Sequence, residues 1–401
     1  MKSFSFVIFG FTSNLAQLKI IPALYDLEEK GLLSPETKII GIGRKEIDVG
    51  KFIDEVLHTE NRHHLHKIKP EVQAKLIERT IYFQEDFEKK DGPLYGKLKK
   101  ILGNTLYYLA TYPNLYTKIF QSLKDNSLND QDDGWVRIMI EKPIGNDLAT
   151  AKDLDNLLNE YFEENQIFRV DHYLGKEVIR RIFGSGVKSE GAERIEISIS
   201  ENFGIGKRGI YYDATGALID MGQNHLLQML AAITAESAKR EDRAEVLESL
   251  KPEPKNIVFG QYEGYLKEEN VSPVSTTDTF FALKTKMEKG PWRDVPIYLS
   301  SGKKLNKNEA KIVIYYKNSA PKIFEISPLA VPEKFDPYER LILDAVAGDQ
   351  TYFNGPQEIE ASWKFIDEFS RRDKLSGKLD NPFIYKPGSD LTNGVASKFS
   401  P

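Results

Sequence analysis

The stretch Phe4-Ser5-Phe6-Val7-Ile8-Phe9 runs into Gly10-Phe11-Thr12-Ser13-Asn14-Leu15-Ala16. Phe4–Phe9 is a largely apolar run, as expected of a strand buried on both faces of a parallel sheet. Gly10 breaks it, and Leu15, Leu18, Ile21 and Leu24 with Tyr25 then recur at helical spacing. A strand that ends on glycine and leads into a helix presents backbone N–H groups where a pyrophosphate can bind. Only one glycine stands where such a turn usually carries two or three, so an ordinary strand-to-helix turn is the competing reading. Gly10, Thr12 and Ser13 are the candidate contacts.

Working outward, Lys38–Gly43, Ile81–Phe83, Thr105–Ala110 and Val136–Ile140 read as further short strands, with a helix around Phe52–Leu57. Strands separated by helices predict βαβ units. The fold class is therefore α/β plus α+β, with a Rossmann-like dinucleotide-binding domain over 1–145. Arg44 directly follows the second strand, where a cofactor's 2′-phosphate would lie, and a basic residue there favours NADP over NAD. A solvated loop arginine is the alternative. The polar stretch 124–134 reads as a surface loop.

The pattern changes after Glu141-Lys142-Pro143. Asp147 suits a helix cap before Leu154, Leu157, Leu158 and Phe162. Arg194–Ser200 alternates, with Ile195, Ile197 and Ile199 on one side and Glu196 and Ser198 on the other, which predicts a strand with one wet face in an antiparallel sheet. Lys311–Tyr316 and Lys322–Ile326 alternate similarly. An α+β substrate-binding domain is thus expected over 146–385, with a C-terminal tail over 386–401.

The chain has 401 residues, 60 acids against 55 bases and no cysteine. That charge balance argues against a nucleic-acid or membrane-surface binder. Without cysteine there is no thiolate nucleophile, disulfide framework or Cys-ligated metal. No apolar run approaches the roughly 20 residues of a membrane span, so a cytoplasmic protein is expected. Of six histidines, His58, His63, His64 and His66 cluster, but their spacing fits no zinc pattern and no metal site is expected.

Two segments look chemical. In Arg169-Val170-Asp171-His172-Tyr173-Leu174-Gly175-Lys176-Glu177, the donors His172, Tyr173 and Lys176 suit a phosphate dianion, against the plainer reading of a charged helix start. In Glu201–Gln228 a glycine-rich loop precedes a helix carrying His225, Met229 and Ile233 at four-residue steps. His225 is then either a satisfied core histidine or a base, depending on a carboxylate partner and an open cleft.

RVDHYLGKE, EKPIGNDLATAKDL, YYDATGALIDMGQNHLLQ, VPIYLSSGKKLN and YERLILDAVAGDQTYF resemble, in order and context, the glucose-6-phosphate dehydrogenase family. The resemblance spans Phe6 to about Phe369. It implies NADP-linked oxidation of glucose 6-phosphate at C1 to 6-phosphogluconolactone, in the oxidative pentose phosphate pathway. His225 matches the general base and Asp171 its orienting partner; a neutral imidazole of ordinary pKa about 6.5 can accept the hydroxyl proton. His172, Tyr173 and Lys176 match phosphate-binding positions, Glu201 and Asp220 sugar-hydroxyl contacts, and Lys303 a substrate-binding lysine. Lys142 matches the lysine bridging cofactor and sugar. Thr12, Lys19 and Arg44 match cofactor contacts.

The departures gather at the cofactor and at one sheet edge. The family turn reads Gly-Ala-Ser-Gly-Asp-Leu-Ala; here Phe11, Ser13 and Asn14 replace the small residue, the second glycine and the acid. Phe11 is expected to add bulk where the pyrophosphate approaches, and the altered Gly-Phe-Thr-Ser-Asn turn as a whole leaves NAD open as cofactor. Tyr112-Pro113 replaces Pro-Pro, and Ile219 and Ser300 stand at arginine positions. Between Tyr316 and Tyr338 the family carries several strands and this chain has room for one, so the homodimer the resemblance implies is also open. The alternatives are a sugar-phosphate dehydrogenase of altered preference and a catalytically weak sugar-phosphate-binding paralogue.

Overall fold

The computed structural model describes residues 3–59, 67–86, 94–131, 134–183, 185–326, 334–376 and 381–399. His63, His64 and His66 lie outside these residues. His58, at a helix end, sits beside Asp54 one turn earlier, its Nδ1 2.9 Å from the Asp54 carbonyl oxygen.

The chain forms two compact units. The first comprises 1–142, 153–172 and 335–353; the second 143–152, 173–334 and 354–401. The expected cut between 145 and 146 is thereby corrected. Two later segments return to the first unit, because one supplies its last strand and the other a helix that seals its core.

The first unit contains β1 (Ser5–Phe9), α1 (Ile21–Glu29), β2 (Lys38–Gly43), α2 (Val49–His58), α3 (Pro70–Glu78), β3 (Thr80–Gln84), α4 (Leu94–Lys99), β4 (Thr105–Leu109), α5 (Tyr116–Asp125) and β5 (Val136–Ile140). α6 (Leu148–Tyr161) and β6 (Ile167–Arg169) follow, with α6 starting in the second unit. Asp147 caps α6, accepting the Thr150 N–H at 2.8 Å. α5 reaches two residues into the expected loop 124–134.

All six strands are parallel, in the order 3-2-1-4-5-6. This is the doubly wound dinucleotide-binding order, and it follows from apolar strands that need cover on both faces. β1 and β4 are buried along their length, whereas edge strand β3 is partly exposed. Phe6 and Ile8 pack in a core with Leu24, Leu106 and Tyr108, while Phe9 meets Tyr107 on the other face.

In the second unit α7 (His172–Gly175), which begins in the first, and α8 (Glu177–Phe183) lead to β7 (Ala192–Ser200). There follow α9 (Gly209–Ala217), a π-helical segment Leu218–Leu226, α10 (Leu227–Thr234), α11 (Arg240–Glu248), β8 (Leu250–Lys251), β9 (Ile257–Tyr262), β10 (Phe280–Met287), β11 (Ile297–Gly302), β12 (Glu309–Tyr316) and β13 (Ser319–Glu325). α12 (Pro337–Ala347) belongs to the first unit, where Leu341, Ile342 and Ala345 join its core; α13 (Pro356–Ser376) and β14 (Phe383–Tyr385) complete the second.

The second sheet runs β13-β12-β7-β11-β10-β9-β14, with β8 paired to β10. It is mixed rather than antiparallel, because β7 pairs parallel with β11. The expected wet face of β7 is also corrected. Glu196 and Ser198 are buried, since Arg194 folds back to Glu196 at 2.7 Å and stacks over Tyr315. The expected tail is packed as well: Val395 sits in a cluster with Phe280 and Tyr298, and buried Thr392 bonds Ser200. Its few apolar residues suffice because the sheet offers them a ready surface. Among the described residues one strand, β13, lies between Tyr316 and Tyr338, and no helix is long and apolar enough to cross a membrane.

Candidate active site

The residues singled out in the first unit lie at the carboxyl ends of its strands, where open α/β sheets bind ligands. Gly10, after β1, has a φ of 86°, and a Cβ there would fall 2.4 Å from the Ala110 carbonyl oxygen. Only glycine fits this turn. The N–H groups of Gly10 and Phe11 both donate to the Ile42 carbonyl, and that of Ser13 to Gly10. Ser13 caps the following helix through its hydroxyl, which accepts the Ala16 N–H at 3.1 Å. Lys19 is half-buried in the π-helical turn Ala16–Ile20 that precedes α1.

The expectation for Phe11 is overturned. Its ring is 1% exposed and points beneath the turn, with Phe52 at 5.6 Å and Tyr82 at 5.9 Å between centroids. Gly41 makes the room: a Cβ on it would sit 2.5 Å from the Phe11 ring. The Phe11 ring therefore lies in the core rather than on the exposed side of the turn, which leads into a helix. Arg44 is exposed past the end of β2, and Gln84 holds its carbonyl at 3.0 Å. The N–H groups of Gly10, Phe11 and Ser13 are held within the protein, and the exposed Arg44 guanidinium is the group here that suits a phosphate-bearing dinucleotide. Tyr112, past β4, is 81% exposed.

Glu141 and Lys142 follow β5, and Asp171 and His172 follow β6. The Val170 N–H donates to the Ile140 carbonyl at 2.9 Å, so the two strand ends stay in register. Asp171 is buried, and the His172 ring stacks on Tyr338 at 6.0 Å. Arg169 is fully buried and neutralised by Asp155 and Glu164, each at 2.5 to 2.8 Å, which pins the strand leading to Asp171.

In the second unit His225 is 1% exposed and its imidazole stacks on the Tyr173 ring at 4.2 Å. Lys176 lies over the other part of this group, its ammonium 4.4 Å from the Tyr173 centroid and 3.2 Å from the Ile326 carbonyl oxygen. The expected α-helix around His225 is corrected to a π-helical segment, which passes into α10 after Leu226. In an α-helix, Asp220 and His225 would be about 1.4 turns apart and face different ways. The wider π turn brings them toward one side. Gly222 lets this wide segment settle on β10, where a Cβ would meet Phe281 at 2.9 Å.

Glu201 and Lys303 follow the parallel partners β7 and β11, which end in register at Ser200 and Gly302. Lys303 is 1% exposed, bonds Glu201 and stands 3.7 Å from the Asp220 carboxylate. A buried ammonium needs this pairing, since an unpaired one costs several kcal/mol. Arg208 reaches Asp220 at 3.8 Å with nearly half of its side chain exposed. Tyr211 lies beside Asp220, and burial together with that carboxylate pushes its phenol well up.

Sequence reasoning missed Glu141, Tyr338, Arg208 and Tyr211. Their polarity was visible in the sequence, but nothing local says that α12 returns to the first sheet or that the loop before α9 faces Asp220.

The chain matches the profile described as "Glucose-6-phosphate dehydrogenase, NAD binding domain" over 7–181, and "Glucose-6-phosphate dehydrogenase, C-terminal domain" over 180–335 and 327–397. The second match comes in two pieces that meet where the missing strands were expected. A glucose-6-phosphate 1-dehydrogenase of Aggregatibacter actinomycetemcomitans is 33% identical over 469 aligned positions, covering 96% of this chain and 93% of the relative. That alignment is longer than the 401-residue chain, so the relative carries residues this chain lacks. A solved structure described as glucose-6-phosphate dehydrogenase in complex with its substrate glucose-6-phosphate is similar at a TM-score of 0.87 and 25% identity, covering 99% of this chain and 98% of that one. The glucose-6-phosphate 1-dehydrogenase of Mycobacterium avium is similar at 0.83 and 29%, covering 96% and 94%.

Proposed function

Because this chain belongs to the glucose-6-phosphate dehydrogenase family, we propose that it oxidises glucose 6-phosphate at C1 to 6-phosphogluconolactone. NADP accepts the hydride when bound. The observation that carries the reading is the buried His225 stacked on Tyr173, the third residue of the run Asp171-His172-Tyr173.

As the C1–H electron pair leaves, the hydroxyl proton passes to an imidazole nitrogen of His225, and the O–H pair closes the lactone carbonyl. General-base help of this kind contributes typically about 10²–10⁴-fold. Asp171 orients the ring and stabilises the imidazolium that forms. His172, Tyr173 and Lys176 bind the phosphate dianion. Glu201 and Asp220 accept from sugar hydroxyls, with Lys303 fixing both carboxylates and donating to the substrate.

Gly10, Thr12, Ser13, Lys19 and Lys142 are the proposed cofactor contacts, and Arg44 selects NADP through its 2′-phosphate. With Phe11 turned into the core, its bulk is no obstacle to the pyrophosphate of either dinucleotide, and the preference for NADP rests on Arg44. The proposed setting is cytoplasmic. A second copy of the chain is the partner the resemblance implies, and the sheet edge at β13 is where its interface would differ from that of longer relatives.

The test mixes purified protein with glucose 6-phosphate and either NADP or NAD, and follows the absorbance of reduced nicotinamide. Turnover faster with NADP supports the reading. No reduction with either cofactor contradicts it.

A further inference from the structure

We propose that Tyr385 of β14 is a positioning residue for Lys303: its hydroxyl, with the chain that follows it, holds the turn from which the lysine meets the substrate. The proposal rests on the reading of Lys303 as a substrate-binding lysine, and every group in it belongs to the second unit.

Lys303 is the first residue past β11, and its backbone is held on both sides. Its N–H donates to the Thr279 carbonyl at 2.9 Å, and its carbonyl accepts the Tyr385 hydroxyl at 2.7 Å. The direction of the second bond follows from the neighbours. The Tyr262 N–H, which can only donate, gives its hydrogen to the Thr279 hydroxyl oxygen at 2.9 Å. The Thr279 hydroxyl is then left to donate to the Tyr385 oxygen, also at 2.9 Å. Tyr385 keeps its own hydrogen for a carbonyl, and that of Lys303 is nearer than that of Thr279, which lies at 3.1 Å. Burial pushes the Tyr385 phenol up, so it stays a donor through the working pH range.

The next residue shows why the turn needs holding. Lys304 has a φ of 49°, in the left-handed region that side chains rarely adopt. Its N–H donates to the Phe203 carbonyl at 3.0 Å, and its carbonyl accepts the Gly388 N–H at 2.8 Å. The Asn306 N–H donates to the Ser389 carbonyl at 3.1 Å. Tyr385, Gly388 and Ser389 thus fasten Lys303, Lys304 and Asn306 in turn. From this turn the Lys303 ammonium bonds Glu201 and stands 3.7 Å from Asp220, with the Phe203 and Tyr212 ring centroids 5.7 and 5.1 Å away. Glu201 is tied to the same turn, because the Leu305 N–H donates to its carbonyl at 2.9 Å.

The test has two arms, each run on the wild type, Tyr385→Phe, Thr279→Val and Thr279→Ser. Tyr385→Phe keeps the ring, packed among Tyr262, Phe280 and Phe383, and removes only the hydroxyl. Brief labelling with acetic anhydride, read by mass spectrometry, reports how tightly Lys303 is held, since its side chain is buried. Acetylation of Lys303 is expected to quicken about 5- to 10-fold in Tyr385→Phe and in Thr279→Val, the worth of roughly one hydrogen bond. Thr279→Ser, which restores a hydroxyl, should stay at the wild-type rate, and Lys176 of the same unit should label equally in all four. Unchanged labelling of Lys303, or a rise that Lys176 shares, overturns the proposal. Should one variant fail to fold, the other carries the comparison.

The second arm is steady-state kinetics with glucose 6-phosphate and NADP. Tyr385→Phe is expected to raise KM for glucose 6-phosphate by a similar factor, with kcat and KM for NADP nearly kept. In a Lys303→Ala background the same substitution should change KM no further, because its effect runs through Lys303. An unchanged KM in Tyr385→Phe, or a rise that persists undiminished without Lys303, also overturns the proposal. If the wild type transfers no hydride at all, it is the proposed reaction that fails, and the labelling arm still decides the role of Tyr385.

Discussion

The imidazole of His225 and the phenol ring of Tyr173 lie 4.2 Å apart at an interplanar angle of 24°. Tyr173 therefore has two jobs in the proposed site, supporting the base with its face and meeting the phosphate with its hydroxyl. The two separate by mutation. Tyr173→Phe is expected to raise KM for glucose 6-phosphate about 10-fold or more with kcat nearly kept, since a hydrogen bond to a charged group is worth about 1.5–3 kcal/mol. Tyr173→Ala should lower kcat as well. Steady-state kinetics of the two variants checks this.

Phe11 and Gly41 form a matched pair, one supplying bulk and the other the space for it. Gly41→Ala is expected to cost about 1–3 kcal/mol by overpacking, and Phe11→Ala about 3–5 kcal/mol by leaving a cavity. Because the added methyl would occupy part of that cavity, the double variant should lose less stability than the two single losses together. Thermal midpoints of the four proteins test this, and strict additivity would count against the packing described.

Arg44 follows β2 and is exposed. Arg44→Ala is expected to lower kcat/KM for NADP about 10- to 100-fold while leaving that for NAD nearly unchanged, because only NADP carries the 2′-phosphate. The ratio of the two specificity constants is the measurement.

Much of the first sheet was legible because its strands are apolar on both faces and its helices carry clear spacing. Lys38–Gly43 and Val136–Ile140 are strands at their expected bounds. The second sheet was harder to read. Glu196 and Ser198 alternate as if wet, yet their burial depends on Arg194 and Tyr315, contacts that no spacing reveals. The π-helical winding around His225 is likewise invisible in a four-residue pattern. Phe11 looked like bulk in a ligand site because its accommodation lies 30 residues away, at Gly41. Site residues on strand ends could be named from the family resemblance, whereas Arg208 and Tyr338 reach their places through tertiary folding alone.

Glu141 links stability to pH. Its carboxyl is raised from 4.5 to about 7 in the folded protein, so the folded state binds the proton more tightly than the unfolded chain between those values. Stability should fall as pH rises through that window, by up to about 3 kcal/mol from this group. Glu141→Gln should therefore stabilise the protein at pH 8 relative to wild type far more than at pH 5. Thermal midpoints at both pH values decide, and a variant offset that does not depend on pH would contradict it.

The most direct test of the account is the rate of hydride transfer when the base is removed. With saturating NADP, His225→Ala is expected to lose about 10²–10⁴-fold in kcat while glucose 6-phosphate still binds through His172, Tyr173 and Lys176, leaving KM within a few-fold of wild type. A His225→Ala protein that turns over glucose 6-phosphate at the wild-type rate would contradict the assignment of the base, and with it the reading of the site.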